Sequence, residues 1–158
     1  MAPQDPSLVF DVRHSSAHRE LEEAIRVGEI TVTFLKTRHE TGNVLEMCEL
    51  TMPPTGKSVM PHLHREEDLI VLGMNGISTW TVGDETIEVH PGGRLMIPRG
   101  VPHSMTNMHE TTTRMICLYT PGIMGPEFFR EIGQHFHDDV PDVAAVGEIL
   151  NRYGIIPV

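Results

Sequence analysis

The sequence has little of several features that would mark particular classes of protein. Its 158 residues include only two cysteines, Cys48 and Cys117, which are too few for a disulfide framework and suggest an intracellular, reduced protein. Lys and Arg total 12 against 22 Asp and Glu, a formal charge of -10, so nucleic acid and anionic membranes would be repelled. We therefore expect a small-molecule substrate, with neither nucleic acid nor membrane as a partner.

Long hydrophobic runs are also missing. The longest, from Leu69 to Met74, is far shorter than the roughly 20 residues that a membrane-spanning helix needs. Residues 1–13 carry Asp5 and Asp11 and lack a basic segment followed by an apolar stretch, so they do not resemble a signal peptide. The expected location is the cytoplasm, and the length and 39% hydrophobic content fit one compact domain.

Short alternating runs of apolar and β-branched residues fill the middle of the chain. Strands are predicted at Ile30–Leu35, Val44–Met52, Leu69–Leu72, Ile77–Val82, Glu85–His90, Leu95–Ile97 and Thr112–Thr120. Turn signals rich in Gly, Pro, Asn and Asp separate them. Many short strands without long helices between them indicate an all-β protein, an antiparallel sandwich or barrel.

The two ends of the chain have helical character. Residues 1–15 predict an arm, and residues 16–26 a short helix rich in Ala, Leu, Glu and Arg. After Pro121, one predicted helix begins near Pro126 with Phe128, Phe129, Ile132 and Phe136 on one face. A second follows Pro141-Asp142, with Val143, Val146, Leu150 and Tyr153 on one side and Gly154 at its end. The predicted division is residues 1–26, 27–122 and 123–158.

Three histidines form the strongest candidate site. Residues two apart on a strand share a face, so His62 and His64 could offer two imidazoles to one ion. Alone, such a pair is equally consistent with two ordinary surface or core histidines that bind no metal. A third histidine, His103, follows the Pro98 to Pro102 turn about forty residues downstream.

These residues resemble the two motifs of the cupin superfamily. The first motif corresponds to Gly56, His62-Leu63-His64 and Gly76, and the second to Gly92, Pro98, Gly100, His103 and Asn107. The resemblance covers roughly residues 27–122. The tail, with Pro121-Gly122, Phe128-Phe129 and Tyr153-Gly154, is similar to single-domain, quercetinase-like members.

The resemblance implies a double-stranded β-helix (jelly-roll) barrel in which His62, His64 and His103 hold one divalent metal ion. Imidazole suits Fe, Mn, Ni and Zn, and the pattern does not choose among them. The family usually has a glutamate ligand where this sequence has Leu69. A nearby carboxylate could replace it, and strand alternation places Glu67 on the face of Leu69 and Asp68 on the opposite one.

Candidates for a catalytic base are Glu46, Glu49 and Glu67. Glu46 and Glu49 lie on the strand before the first motif, where alternation places them on opposite faces, so one of them could face inward. Arg114 and Tyr119 on the last strand are further candidates. Buried carboxyls need partners, so a structural role is the competing interpretation for each acid.

The expected function is a metal-dependent enzyme acting on a small organic molecule. Family resemblance favours oxygen-dependent cleavage, that is, a dioxygenase-like oxidoreductase, with secondary metabolism as the setting and a homodimer as the assembly. One alternative is non-redox cyclisation, isomerisation or lyase chemistry on an enolisable, polyketide-like substrate, with the ion as Lewis acid. Another is a ligand-binding cupin that has lost catalysis with its glutamate.

Overall fold

The protein is described by a computed structural model, which covers residues 23–56, 60–137 and 140–158. Its elements, in chain order, are β1 (Ala24–Val27), β2 (Ile30–Lys36), β3 (Glu46–Met52), β4 (His62–His64), β5 (Asp68–Asn75), β6 (Ser78–Val82), β7 (Glu85–Val89), β8 (Arg94–Ile97), β9 (His103–Thr106), β10 (Thr113–Thr120), α1 (Gly125–Gly133), β11 (Phe136–His137), β12 (Val140–Pro141), α2 (Val143–Arg152) and β13 (Ile155–Pro157). Neither helix in these ranges has the length and hydropathy needed to cross a bilayer.

Two antiparallel sheets make up the body of the protein. The larger has six strands in the order β1-β2-β3-β10-β5-β8, and the smaller has five in the order β13-β4-β9-β6-β7. From β3 to β6, and again from β7 to β10, successive strands alternate between the two sheets, as in a jelly roll. The predicted all-β jelly-roll fold with two C-terminal helices is confirmed.

Strand alternation determines which side chains form the core. Buried residues alternate with half-buried ones along all of β3 and β10, the pattern expected when one face of a sheet packs inward. Cys48 on β3 lies directly opposite Cys117 on β10, and both are free and buried. The inner face of the six-stranded sheet therefore consists mainly of apolar side chains.

The two helices pack against the core of the barrel and line its cavity. Pro126 occupies the first turn of α1, where its missing N–H costs nothing. Asp142 caps α2, because its side chain accepts a hydrogen bond from the Ala145 amide at 3.2 Å. α1 buries Phe128 and Ile132, and α2 buries Val146, Ile149 and Leu150, so both turn an apolar face inward.

Three local predictions were wrong. Residues 24–26 form β1 rather than helix, because they pair with the edge of β2 and bury Ile25, a tertiary contact that outweighs helix propensity. Residues 16–22 lie outside the described ranges. α1 ends at Gly133, so Phe136 belongs to β11. Val143 is exposed at the start of α2 and contributes nothing to its buried side.

Candidate metal centre

Neighbouring strands of the five-stranded sheet bring the three histidines together. His62 on β4 is the direct register partner of His103 on β9, so their side chains leave the same face of the sheet. His64 lies two residues further along β4 and shares that face. The turn before β9 is fastened to β4, because the Gly100 amide donates to the His64 carbonyl at 2.7 Å.

The motif glycine and asparagine each have a structural reason. Gly100 has a φ of +79°, a conformation that glycine adopts without steric cost. The Asn107 side chain is buried and donates to the carbonyls of Pro53 (2.8 Å) and Thr111 (2.7 Å). These bonds hold the end of β9 at Asn107, and the bond from Gly100 to β4 holds the turn before His103.

The three rings lie close enough to share an ion after small adjustments. Ring centroids are 5.2 Å apart for His62 and His64, 4.6 Å for His62 and His103, and 5.4 Å for His64 and His103. One ring nitrogen of each lies within 4.8 Å of the other two. Two nitrogens bound to one zinc ion can be at most about 4.2 Å apart, so modest side-chain rotations would suffice.

Each imidazole ring is oriented by a hydrogen bond at its Nδ1 atom. The Nδ1 partners are the Met60 carbonyl for His62 (2.7 Å), the Val101 carbonyl for His103 (3.0 Å) and Glu67 Oε2 for His64 (2.9 Å). A carbonyl only accepts, so His62 and His103 carry their proton on Nδ1, and a carboxylate oxygen favours the same arrangement at His64. The lone pair that a metal ion needs is then on Nε2.

Burial keeps these imidazoles uncharged. His64 and His103 are buried and His62 is half-buried. Burial lowers the pKa of His64 and that of His103 to about 4, and burial followed by the neighbouring rings lowers the pKa of His62 to about 3. Because His64 is neutral at pH 7, its contact with Glu67 is a hydrogen bond rather than an ion pair. Neutral imidazoles are the form that binds metals.

The rings face a cavity of about 610 Å³. Its walls are mainly apolar, with Val32, Leu50 and Leu69 from the six-stranded sheet and Phe128, Phe129 and Ile132 from α1. Trp80 and Tyr119 also line it, and the Tyr119 ring stacks on His64 at a centroid distance of 5.6 Å. The three histidines therefore form a polar cluster in a cavity whose other lining is mainly apolar, with Glu29 and Ser104 as further polar residues.

Comparison with known proteins identifies the family. A family model described as "Cupin domain" matches residues 48–119. This stretch of the chain, which contains His62, His64 and His103, is a cupin domain. Among curated protein sequences, none is similar enough to count as a relative.

Several solved structures resemble about two thirds of this chain. The polyketide cyclase RemF of Streptomyces resistomycificus is 26% identical over 65% of this chain and 76% of its own, with a TM-score of 0.57. An RmlC-like cupin of Shewanella frigidimarina is 16% identical over 67% and 89%, with a TM-score of 0.58. An oxalate decarboxylase of Lactobacillus farciminis is 13% identical over 68% of this chain and 33% of its own, with a TM-score of 0.59.

The usual glutamate position of cupins is apolar here. Leu69 is 2% exposed and lines the cavity. Asp68 points the other way and forms an ion pair with Arg99 at 2.9 Å. Glu67 is buried, as alternation predicts, but among the described residues the metal-ligand group contains the three histidines alone. Glu67 and Asp68 therefore lie outside this ligand group, and Glu67 contacts His64 instead.

The other candidate acids lie away from the cavity. Glu46 faces inward and is fully buried, but it accepts hydrogen bonds from the amides of Met124 (3.2 Å) and Gly125 (2.8 Å) at the start of α1. Glu49 lies on the opposite face of β3 and pairs with Arg114 at 2.8 Å. Neither acid lines the cavity. A catalytic role for Glu46 or Glu49 stays a prediction, which their hydrogen-bond partners do not favour. The same ion pair holds the Arg114 guanidinium on that face of the sheet.

Sequence reasoning missed two parts of the site. The contact between Glu67 and His64 joins residues three apart, a spacing that could have suggested it. The contribution of α1 to the cavity wall depends on how the C-terminal segment folds back over the barrel, and no motif signals it.

Proposed function

We propose that this cupin is a metal-dependent enzyme that binds an uncharged, largely apolar organic molecule, with His62, His64 and His103 as its metal ligands. The observation that carries the proposal is the position of three oriented, neutral imidazoles in a mainly apolar cavity. Such a cavity with few convergent polar groups is typical of a small-molecule site.

The donor set suits a divalent first-row ion. Three neutral ligands leave such an ion its full double charge and leave positions for water or substrate, so it would act as a Lewis acid. The choice among Fe, Mn, Ni and Zn stays open, since imidazole serves all of them. Leu69 supports this arrangement, because it brings no compensating negative charge to the centre.

The walls favour a neutral carbon skeleton over a small acid. None of the described side chains that line the cavity is Lys or Arg, so a dicarboxylate such as oxalate would find no cationic partner apart from the ion itself. Phe128, Phe129 and Trp80 offer aromatic surface instead. These side chains would orient a flat, apolar substrate and exclude bulk water from its reacting end.

For the reaction, we favour non-redox chemistry on an enolisable substrate, such as a cyclisation. Support comes from the similarity to the polyketide cyclase RemF at 26% identity, together with the apolar cavity. Dioxygenation, the reaction favoured by the resemblance of the motifs, is the second candidate because a site of three histidines also occurs in thiol and diketone dioxygenases. The two reactions differ in whether oxygen is consumed.

The test combines metal analysis with an oxygen electrode. We expect the purified protein to contain about one equivalent of metal, and a variant carrying His62→Ala and His64→Ala to contain none. The metal-loaded protein is then screened against aryl 1,3-diketones and aromatic poly-β-ketones. We expect metal-dependent conversion without oxygen uptake, followed by mass spectrometry of the product.

Each other outcome contradicts a defined part of the proposal. Stoichiometric oxygen uptake would favour the dioxygenase. Tight binding of these probes without conversion would overturn the enzyme assignment in favour of a ligand-binding protein. Equal metal content in the wild type and the double variant would remove the metal site.

A further inference from the structure

Glu67 joins the metal centre to the segment that covers the cavity. Its side chain is 2% exposed. One carboxylate oxygen, Oε2, accepts from His64 Nδ1 at 2.9 Å, and the other, Oε1, accepts from the Ile123 amide at 2.9 Å. Ile123 lies between β10 and α1, so this acid contacts both a candidate ligand and the segment that leads to α1, which lines the cavity.

His64 is the only one of the three candidate ligands oriented by a side chain. His62 and His103 each donate to the main-chain carbonyl of the residue two positions earlier, and a side-chain substitution cannot remove a carbonyl. The orientation of His64 depends on a carboxylate instead. It is therefore the one ring whose proton position can be changed by substituting its partner.

An amide in place of this carboxylate could not satisfy both neighbours in the present tautomer. His64 Nδ1 and the Ile123 amide are both donors, whereas a glutamine side chain has one acceptor oxygen and one donor nitrogen. If the amide nitrogen faces His64, the ring must accept at Nδ1 and carry its proton on Nε2. That proton occupies the lone pair a metal needs.

We propose that Glu67 is a positioning residue that fixes His64 in its Nδ1–H tautomer and so prepares Nε2 for the metal. Its carboxylate contacts a candidate ligand, His64, rather than the metal itself. The position of the usual glutamate ligand of cupins is occupied by Leu69. The effect on metal binding rests on the proposed metal site. The tautomer of His64 does not, and it can be tested without metal.

Glu46 provides a matched control. It is also a buried glutamate, and it accepts hydrogen bonds from the next two amides of the same segment, those of Met124 and Gly125. None of its hydrogen bonds involves a histidine of the site. Glu46→Gln and Glu67→Gln therefore both weaken the attachment of this segment, but only the second substitution alters the partner of His64.

The first experiment measures Zn²⁺ affinity in full-length wild type, Glu67→Gln and Glu46→Gln by competition with a chromophoric chelator. We expect Glu67→Gln to lose about 10- to 100-fold in affinity, the usual effect of removing a partner behind a metal ligand. We expect Glu46→Gln to stay close to the wild type. Absorption spectra of the Co²⁺ forms should change in Glu67→Gln alone. Equal losses in the two variants, or no loss in Glu67→Gln, would overturn the proposal.

The second experiment needs no variant, so it holds even if Glu67→Gln fails to fold. ¹⁵N NMR of the metal-free wild type distinguishes the two neutral tautomers of His64. We expect the Nδ1–H form, and the Nε2–H form would overturn the proposal. If the wild type binds no metal but His64 shows the Nδ1–H form, the proposed function fails while the inferred role of Glu67 in orienting His64 stands.

Discussion

The two walls of the cavity differ in what they offer a ligand. The five-stranded sheet presents His62, His64 and His103, each with its Nδ1 atom hydrogen-bonded. The six-stranded sheet opposite presents side chains such as Leu50 and Leu69. The chemistry is thus concentrated on one wall, while the other wall and α1 determine the shape.

In both sheets, however, burial disfavours the charged form of ionisable side chains. Burial lowers the pKa of the histidines on one side, and burial raises the pKa of Glu46, on the inner face of the other sheet, to about 7. Each shift favours the uncharged form. The interior is therefore prepared for neutral groups, and a bound cation would be its dominant charge.

The largest expected effect is the loss of Zn²⁺ affinity when one of the three histidines is removed. His103→Ala removes one of three ligands and should weaken Zn²⁺ binding by more than the roughly 10- to 100-fold expected for loss of a partner behind a ligand. Isothermal titration calorimetry measures it. His90→Ala is the control, because the His90 side chain is 60% exposed and lies outside the site. Equal affinities for the two variants would show that metal binds elsewhere.

A smaller effect is expected in the six-stranded sheet, where the contribution of Glu46 to stability should depend on pH. Burial, and then the charge of Glu67, raises the pKa of Glu46 from 4.5 to about 7. The folded protein then binds more protons than the unfolded chain between these values, so the contribution of Glu46 to stability is full below pH 4.5 and is lost as pH rises through 7. One proton over this window corresponds to about 3 kcal/mol.

Glu46→Gln removes this contribution but keeps that of the histidines and that of Glu67, since burial raises the pKa of Glu67 to about 7 as well. With their lowered pKa values, the histidines destabilise the metal-free fold as pH falls from 6.5 towards 4 in both proteins, so their effect cancels in the difference. Urea unfolding of metal-free wild type and variant at pH 5, 6 and 7 measures that difference. We expect the wild type to lose stability relative to Glu46→Gln as pH rises, and a constant difference would contradict the raised pKa.

Much of this architecture was predictable because it depends on local patterns. Alternation located seven of the strands to within a few residues, and the spacing of His62, His64 and His103 identified a group that the fold does bring together. Both signals exist because side chains two apart on a strand share a face. The positions of Leu69 and Asp68 on opposite faces follow from the same rule.

What could not be predicted depends on contacts between distant parts of the chain. Glu67 and Ile123 are 56 residues apart in sequence, and their hydrogen bond exists only because the segment before α1 folds back over the barrel. The same packing turns Glu46 towards that segment and away from the cavity. Strand β1 likewise forms because an edge of β2 is available to pair with residues 24–27. Sequence patterns give the face of a residue but not its partner.

The smallest expected effect lies on the outer surface of β3, where Glu49 is three residues from Glu46. Its carboxylate forms two hydrogen bonds with the Arg114 guanidinium, at 3.0 and 2.8 Å, on the side of the sheet away from the cavity. We expect Glu49→Gln to leave Zn²⁺ affinity and turnover unchanged and to shift the thermal midpoint only slightly, because partly exposed ion pairs stabilise little. Arg114→Gln should behave in the same way, since it breaks the same pair. Loss of turnover in Glu49→Gln, with Zn²⁺ affinity intact, would mean that the outer surface of β3 takes part in the reaction. The chemistry would then not be confined to the five-stranded sheet.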